Sequence, residues 1–361
     1  MNDTNDINTN HVNTNDTNDI NTNHVNANDT SDTNDINTND INTNDTNDTN
    51  DMNTNESHTV GEMGPFTRIV FSSGAQNMYT MLGILENVIA LDRFCIDKVR
   101  SIYATSAGSI LAVCILLYHD NWSMVTDYFN NCPIQHVFST CFQENIVTLV
   151  DKKGIYGISD IERLLKPLLA AKSIDTNITL DEFFKITNTT LKFYTVDLHG
   201  MELVEMTHTT YPDVKLVHAI CMSCAIPIMW RPVIYKDMCL IDGALFMNYP
   251  VQPCLDELDD DESEASIFGL RTASNYYGNS FITEDTNIFQ YASTLIVNYK
   301  LAMNRKYNCD KTIPYEVKFD GERISVETIY NTMNHREKRT ELYLEGKAID
   351  VSWITKPGIS T

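Results

Sequence analysis

The chain has 361 residues, a mass of 41.0 kDa and a formal charge of −23 from 26 basic and 49 acidic side chains. That balance excludes a general nucleic-acid binder, whose phosphate contacts need a basic surface. Nine cysteines, an odd number set mostly in apolar stretches, argue against a disulfide framework and fit buried, reduced thiols.

Asn, Thr and Asp fill 44 of the first 60 positions, in degenerate N-D-T-N-D-I-N-T-N units with no Lys, Arg, Gly, Pro, Cys or aromatic residue. Such a segment cannot bury enough apolar surface to offset the entropy of ordering it. Residues 1–62 are therefore read as a disordered leader. Docking of a protein activator through the same segment is the sharper alternative. The segment has neither the basic n-region nor the apolar h-region of a secretory signal. The longest apolar run, Ile110–Tyr118, is far short of the roughly 20 residues a membrane span needs. The expectation is an intracellular, cytoplasmic protein that visits membranes transiently. Residues 63–361 suffice for one large core, and no linker within 66–355 demands a second domain.

Order is expected from Phe66. Arg68–Phe71 reads as a short buried strand, Ser72-Ser73-Gly74 as a small-residue turn, and Met78–Val88 as a helix from its apolar spacing. Lys98–Tyr103 reads as a second strand, Thr105–Gly108 as a tight turn, and Ser109–His119 as a helix apolar nearly all round, hence buried. Strand, turn, helix, repeated, predicts a mostly parallel sheet in an α/β/α sandwich. Helices are expected over Asn121–Asn130, Ser159–Ala171, Asp181–Lys185 and Val214–Cys224. Strands are expected over Leu191–Val196 and Met201–Thr207, and two short ones over Val233–Ile241. Asp256–Glu264 reads as an exposed acidic loop, Ser266–Thr272 as a late strand, and Thr286–Asn304 and Ser325–Glu345 as helices. Cys221 and Cys224 form a lone C-x-x-C without a second pair at zinc spacing, so core packing is their expected role.

Three local patterns carry chemistry. Ala104-Thr105-Ser106-Ala107-Gly108 is a G-x-S-x-G elbow with Ala at the first glycine, between a strand and a helix whose positive end lies beside the Ser. Leu240-Ile241-Asp242-Gly243-Ala244 ends a buried strand with an acid before glycine, and Asn248 and Pro250 follow. Ser72-Ser73-Gly74-Ala75 could offer backbone N–H groups to an oxyanion.

In order and separation, these patterns resemble the patatin-like phospholipase family over roughly residues 66–255. FSSGAQNMYTMLGILE stands for its oxyanion loop, IYATSAGSILAVCILL for its elbow, SCAIPIMWRPV for its small-residue and proline segment, and LIDGALFMNYPV for its D-G-[GA] and N-x-P motifs. The resemblance implies hydrolysis of lipid acyl esters drawn from a membrane or micelle. Ser106 would be the nucleophile, Asp242 its base, and Gly74 and Ala75 the oxyanion donors, with no metal and no cofactor. Residues 256–361 form a C-terminal α/β extension of the same domain. The family loop usually reads G-G-G-x-[RK]-G. Here Ser73, Gly74 and Ala75 hold the three glycine places, Asn77 the basic one and Met78 the last glycine. Two other readings stand beside this one: a lipid-binding pseudoenzyme of the same fold, and an α/β-hydrolase with a Ser106, Asp242, His335 triad. An Asp near its ordinary pKa of about 3.9 is a poor base for a hydroxyl, so burial and a close Ser hydrogen bond are expected to raise its basicity.

Overall fold

The computed structural model describes residues 64–138, 151–273, 282–286, 288–307 and 309–355. The Asn/Asp/Thr-rich leader lies outside the described residues.

The first half runs β1 (Arg68–Phe71), α1 (Met78–Ile89), β2 (Ser101–Thr105), α2 (Ala107–Tyr118), α3 (Trp122–Asn131), α4 (Ile134–Val137), β3 (Gly154–Tyr156), α5 (Ile158–Ala171) and α6 (Leu180–Thr187). It continues with β4 (Thr190–Asp197), β5 (Glu202–Met206), α7 (Leu216–Cys224), β6 (Ile228–Trp230), β7 (Val233–Tyr235), β8 (Met238–Asp242) and α8 (Val251–Asp256). The last elements are β9 (Ile267–Ala273), α9 (Ile288–Lys306), β10 (Glu316–Asp320), α10 (Val326–Asn334) and α11 (Arg336–Lys347).

Eight strands form one sheet in the order β10-β9-β1-β2-β4-β8-β7, with β5 also paired to β4. Strands β10, β9, β1, β2 and β4 are parallel, whereas β5 and β8 run antiparallel to β4 and β7 antiparallel to β8. The period-2 alternation sorts side chains between the faces. Ile69, Phe71, Ile102, Ala104 and Phe193 join the core under α1, α2, α3, α5 and α7, while Val70, Tyr103 and Tyr194 meet Met247, Tyr249, Val251 and Cys254 on the other face. A third cluster joins Val196, Ile241, Leu245 and Phe246 to Ile296 and Met303 of α9. This is the expected three-layer α/β/α arrangement with a mostly parallel central sheet.

Four local readings are corrected. The strand expected from Lys98 begins at Ser101, because Ile96–Lys98 closes a 3-10 turn first. The helix expected over 325–345 is two helices broken at His335, whose φ of −117° and ψ of 112° are extended. Strand β10 was not expected: five residues with only Val317 and Phe319 buried give a weak period-2 signal. The acidic loop is not wholly exposed. Glu262 is mostly buried between Arg68 and Arg100, and Glu257 accepts from Tyr103 Oη (2.7 Å) and Lys192 Nζ (2.6 Å). The described cysteines are free thiols, Cys221 and Cys224 among them, buried in α7. No described helix is long and apolar enough to cross a membrane.

Candidate active site

Strand β4 brings the two predicted catalytic side chains together without contributing one itself. Its Tyr194 pairs with Thr105, the last residue of β2, and its next residue, Thr195, pairs with Asp242, the last residue of β8. The two strands therefore end one β4 residue apart, and Ser106 follows directly on Thr105. Ser106 is forced into a left-handed turn (φ 55°, ψ −124°) before α2 begins at Ala107. Such a conformation costs energy and persists only where the surroundings over-determine it. Three fixtures do so here. Ser106 N–H donates to Ser223 Oγ (2.8 Å), Ser223 Oγ donates to the Tyr194 carbonyl (2.7 Å), and Ser109 Oγ donates to Ser223 Oγ (3.0 Å). At Gly108 a Cβ would lie 2.7 Å from the Ser72 carbonyl and 2.8 Å from Phe71 Cβ, so only glycine lets β1 pass this close to the elbow.

Ser106 Oγ donates to Asp242 Oδ2 at 2.7 Å, and the Ala244 N–H donates to Oδ1 at 2.7 Å. Both residues are almost fully buried. Burial raises the Asp242 pKa to about 6, while the Ser106 hydroxyl, the Ala244 N–H and the charge of Lys300 each pull it down. The expectation that the Ser hydrogen bond would help raise it is thus reversed: a donor to the carboxylate favours the charged form, and desolvation alone supplies the rise. The Lys300 ammonium on α9 is itself pushed below the ordinary lysine range by burial.

The loop after β1 is fastened on three sides. Ser72 Oγ accepts from Thr272 N–H (2.9 Å). Ser73 N–H donates to the Asn248 carbonyl (2.8 Å) and its hydroxyl to Asn248 Oδ1 (2.5 Å). Gln76 Nε2 donates to the Arg323 carbonyl (3.0 Å). Among the described residues no hydrogen bond is donated by the N–H groups of Gly74 and Ala75; Ala75 borders the cavity, whereas Gly74 is buried and does not line it.

Ala75, Ser106 and Ala107 border a cavity of roughly 100 Å³. Its other walls are almost wholly apolar, among them Ile110, Phe129, Leu164 and Met333. Phe138, Tyr156 and Trp230 cluster at one side with ring centroids 5.2–5.5 Å apart, and Phe138 and Trp230 line the cavity.

No described histidine bonds to Ser106 or Asp242. His335 is exposed at the α10–α11 break with Nδ1 2.9 Å from the Asn331 carbonyl, and His199 Nδ1 sits 2.9 Å from the Asp237 carbonyl. His218 is half-buried on α7, and burial lowers its pKa. Among the described residues no group of His, Cys, Asp and Glu is arranged to hold a metal ion. Two supporting residues escaped the sequence reading. Ser223 had one usable signal, its place in the small-residue segment ahead of Pro227. Asn304, whose Oδ1 accepts from Asn248 N–H (3.1 Å), had none beyond being polar on the inner face of a helix.

A profile of the patatin-like phospholipase family matches residues 69–255, just over half the chain. The chain belongs to that family. Its relatives include the probable lipid hydrolase 463L of Invertebrate iridescent virus 6, 24% identical over 196 residues that cover 52% of this chain and 62% of that protein. This patatin-like chain thus spans less than two thirds of that relative's length. An uncharacterized protein of Acanthamoeba polyphaga mimivirus is 23% identical over 247 residues, covering 66% of this chain and 75% of the other. Among solved structures, VipD from Legionella pneumophila aligns with 78% of this chain and 67% of its own, at 13% identity and a TM-score of 0.39.

The residues that depart from the patatin-like pattern each have a place in the structure. Ala104, at the elbow's first glycine place, is an ordinary strand residue whose methyl group packs in the core, and it needs no glycine torsion. Ala75, at the third glycine place of the loop, does adopt a left-handed φ of 46°. Asn77, in the basic place, staples the loop instead: its Nδ2 donates to the Glu322 carbonyl (3.0 Å) and its Oδ1 accepts from Glu322 N–H (2.8 Å). Met78, in the last glycine place, opens α1 and lines the cavity.

Proposed function

We propose that the chain hydrolyses lipid acyl esters by a Ser106–Asp242 dyad through an acyl-enzyme. The observation that carries this reading is the 2.7 Å hydrogen bond from Ser106 Oγ to a buried carboxylate, made at the wall of an apolar cavity. The acyl chain lies in the cavity, with the ester carbonyl at Ser106. As Oγ attacks the carbonyl carbon, its proton passes to Asp242 Oδ2. The carbonyl oxygen becomes an oxyanion that takes hydrogen bonds from the free N–H groups of Gly74 and Ala75, with the positive end of α2 alongside. Collapse breaks the bond to the alcohol or lysolipid oxygen, which leaves with the proton from Asp242. Asp242 then deprotonates a water that attacks the acyl-enzyme, and Ser106 is restored as the fatty acid departs. A base whose pKa is about 6 is better matched to a hydroxyl than an ordinary aspartate and is still ionised at neutral pH.

A fluorophosphonate probe tests the reading against a pseudoenzyme. The unaltered chain is expected to label stoichiometrically and Ser106→Ala not at all. Ser106→Ala should also lower turnover of a chromogenic ester by about a thousandfold or more at an unchanged unfolding midpoint. Labelling that persists in Ser106→Ala, or no labelling of either, overturns it.

A further inference from the structure

Helix α9 is unusual on both its faces. Inward, Ile296 and Met303 pack on Ile241, Leu245 and Phe246, the residues flanking Asp242, and Asn304 holds Asn248, which in turn holds Ser73 of the oxyanion loop. Outward, the helix leaves Ile288, Tyr291, Leu295 and Tyr299 exposed at 69, 48, 59 and 36%, Tyr299 at the border of this face with its ring also 6.0 Å from that of Phe246. Their spacing of three, four and four residues places them in one stripe along a helix about 28 Å long.

The charge of this helix runs against that of the chain. Lys300, Arg305 and Lys306 are its only charged residues, and it contains no Asp or Glu. Lys300 faces inward toward Asp242, whereas Arg305 and Lys306 are exposed in the last turn and make no ion pair among the described residues. The nearest acids before it are Glu284 and Asp285, ahead of the opposite end. An exposed apolar stripe that ends in two cations without an ion-pair partner among the described residues, Lys306 lying over the Tyr307 ring at 5.6 Å, with two tyrosines whose rings are apolar and whose hydroxyls are polar, has the make-up of a helix that lies in the headgroup layer of an anionic bilayer. A protein partner for this surface would need no such excess of cations.

We propose that the Ile288–Tyr299 stripe of α9, with Arg305 and Lys306 at its end, docks the domain on an anionic lipid surface. This deepens the lipid-hydrolase reading and rests on it for its biological sense. The helix that touches the bilayer would be the one that packs beside the catalytic acid, so docking would bring the site to its substrate without a membrane anchor.

The test uses full-length Ser106→Ala, so that binding is read without turnover and its failure is distinct from failure of the hydrolase chemistry. Co-sedimentation is measured with phosphatidylcholine vesicles with and without phosphatidylserine. Binding is expected only with phosphatidylserine, and it should weaken with added salt. Adding Leu295→Glu should reduce the partition coefficient about tenfold or more, by loss of a buried leucine. Adding Lys306→Gln should reduce it about fivefold, the equivalent of ~1 kcal/mol for one basic residue lost. Adding Ile234→Glu, at an equally exposed isoleucine on β7, should change nothing. Unfolding midpoints should agree among all the proteins. Absence of vesicle binding, binding indifferent to these α9 substitutions, or a dimer that Leu295→Glu dissociates, which would assign the stripe to a second copy of the chain, each overturns the proposal.

Discussion

At the amino ends of the parallel strands, Glu262 lies between Arg68 and Arg100, and Glu257 takes bonds from Lys192 and Tyr103. At the carboxyl ends, Asp242 is buried with a hydroxyl and one backbone N–H on its oxygens and no cation within ion-pair distance among the described residues. The same functional group is neutralised at one end and left under-compensated at the other. Cations at the amino end tie a loop to the sheet. The lack of one at the carboxyl end leaves a carboxylate that holds protons more tightly, as the proposed base role requires. On the proposed reading, stability and reactivity are thus kept at opposite ends of the strands of one sheet.

The most damaging change to this contrast is Asp242→Asn. With no other proton acceptor on Ser106, acylation should fall about a thousandfold, as for Ser106→Ala. Stability should move the other way. For an acid whose folded pKa is raised from 3.8 to about 6, the native state binds more protons in that window, so stability falls as pH rises through it. At neutral pH the folded chain carries the full penalty, and Asp242→Asn should relieve roughly 2 kcal/mol of it, to be read from denaturant unfolding. The parent's acylation rate should rise with pH through a single step near 6. A midpoint lowered by Asp242→Asn, or a flat profile between pH 5 and 7, would remove the contrast.

Glu262→Gln probes the other end. It leaves Arg68 mostly buried without its carboxylate and should cost about 2 kcal/mol of stability. Activity per folded molecule should be unchanged. A loss of turnover at constant midpoint would mean the two ends are coupled.

The smallest effect is expected at Ala75, whose left-handed φ costs an L-residue about 1 kcal/mol that glycine avoids. Ala75→Gly should raise the unfolding midpoint by about that much and leave the free N–H donors in place. A lowered midpoint would show that the alanine methyl contributes more by packing than its torsion costs.

The two strand–turn–helix units were legible because each motif is continuous in sequence, and β1, α1 and α2 fall within two residues of their expected spans. The Ser106–Asp242 contact was not legible locally, since it depends on two strands, 136 residues apart, ending on neighbouring positions of a third. It entered the sequence reading through the resemblance of the whole pattern to a family. The acidic loop was misread for a related reason. Its composition reports charge, but its partners are spread over the starts of three strands. The 325–345 helix was read as one because the charged stretch NHREKRTE between Met333 and Leu342 holds no Gly or Pro to mark a break, whereas the backbone turns extended at His335.

Gly243 acts as an index mark between β8 and β4. A Cβ there would lie 2.1 Å from the Tyr194 carbonyl oxygen, so no other residue fits opposite that peptide. Hydrophobic alternation alone would permit β8 to slide two residues along β4 and keep its inward side chains inward. That slide would carry the carboxylate about 7 Å away from Ser106 while leaving the fold outwardly intact. Gly243 opposes the slide, because either direction would bring Ile241 or Leu245 to the place where only glycine fits. The missing side chain next to the acid therefore works as a detent for the observed alignment, the one on which the proposed dyad depends.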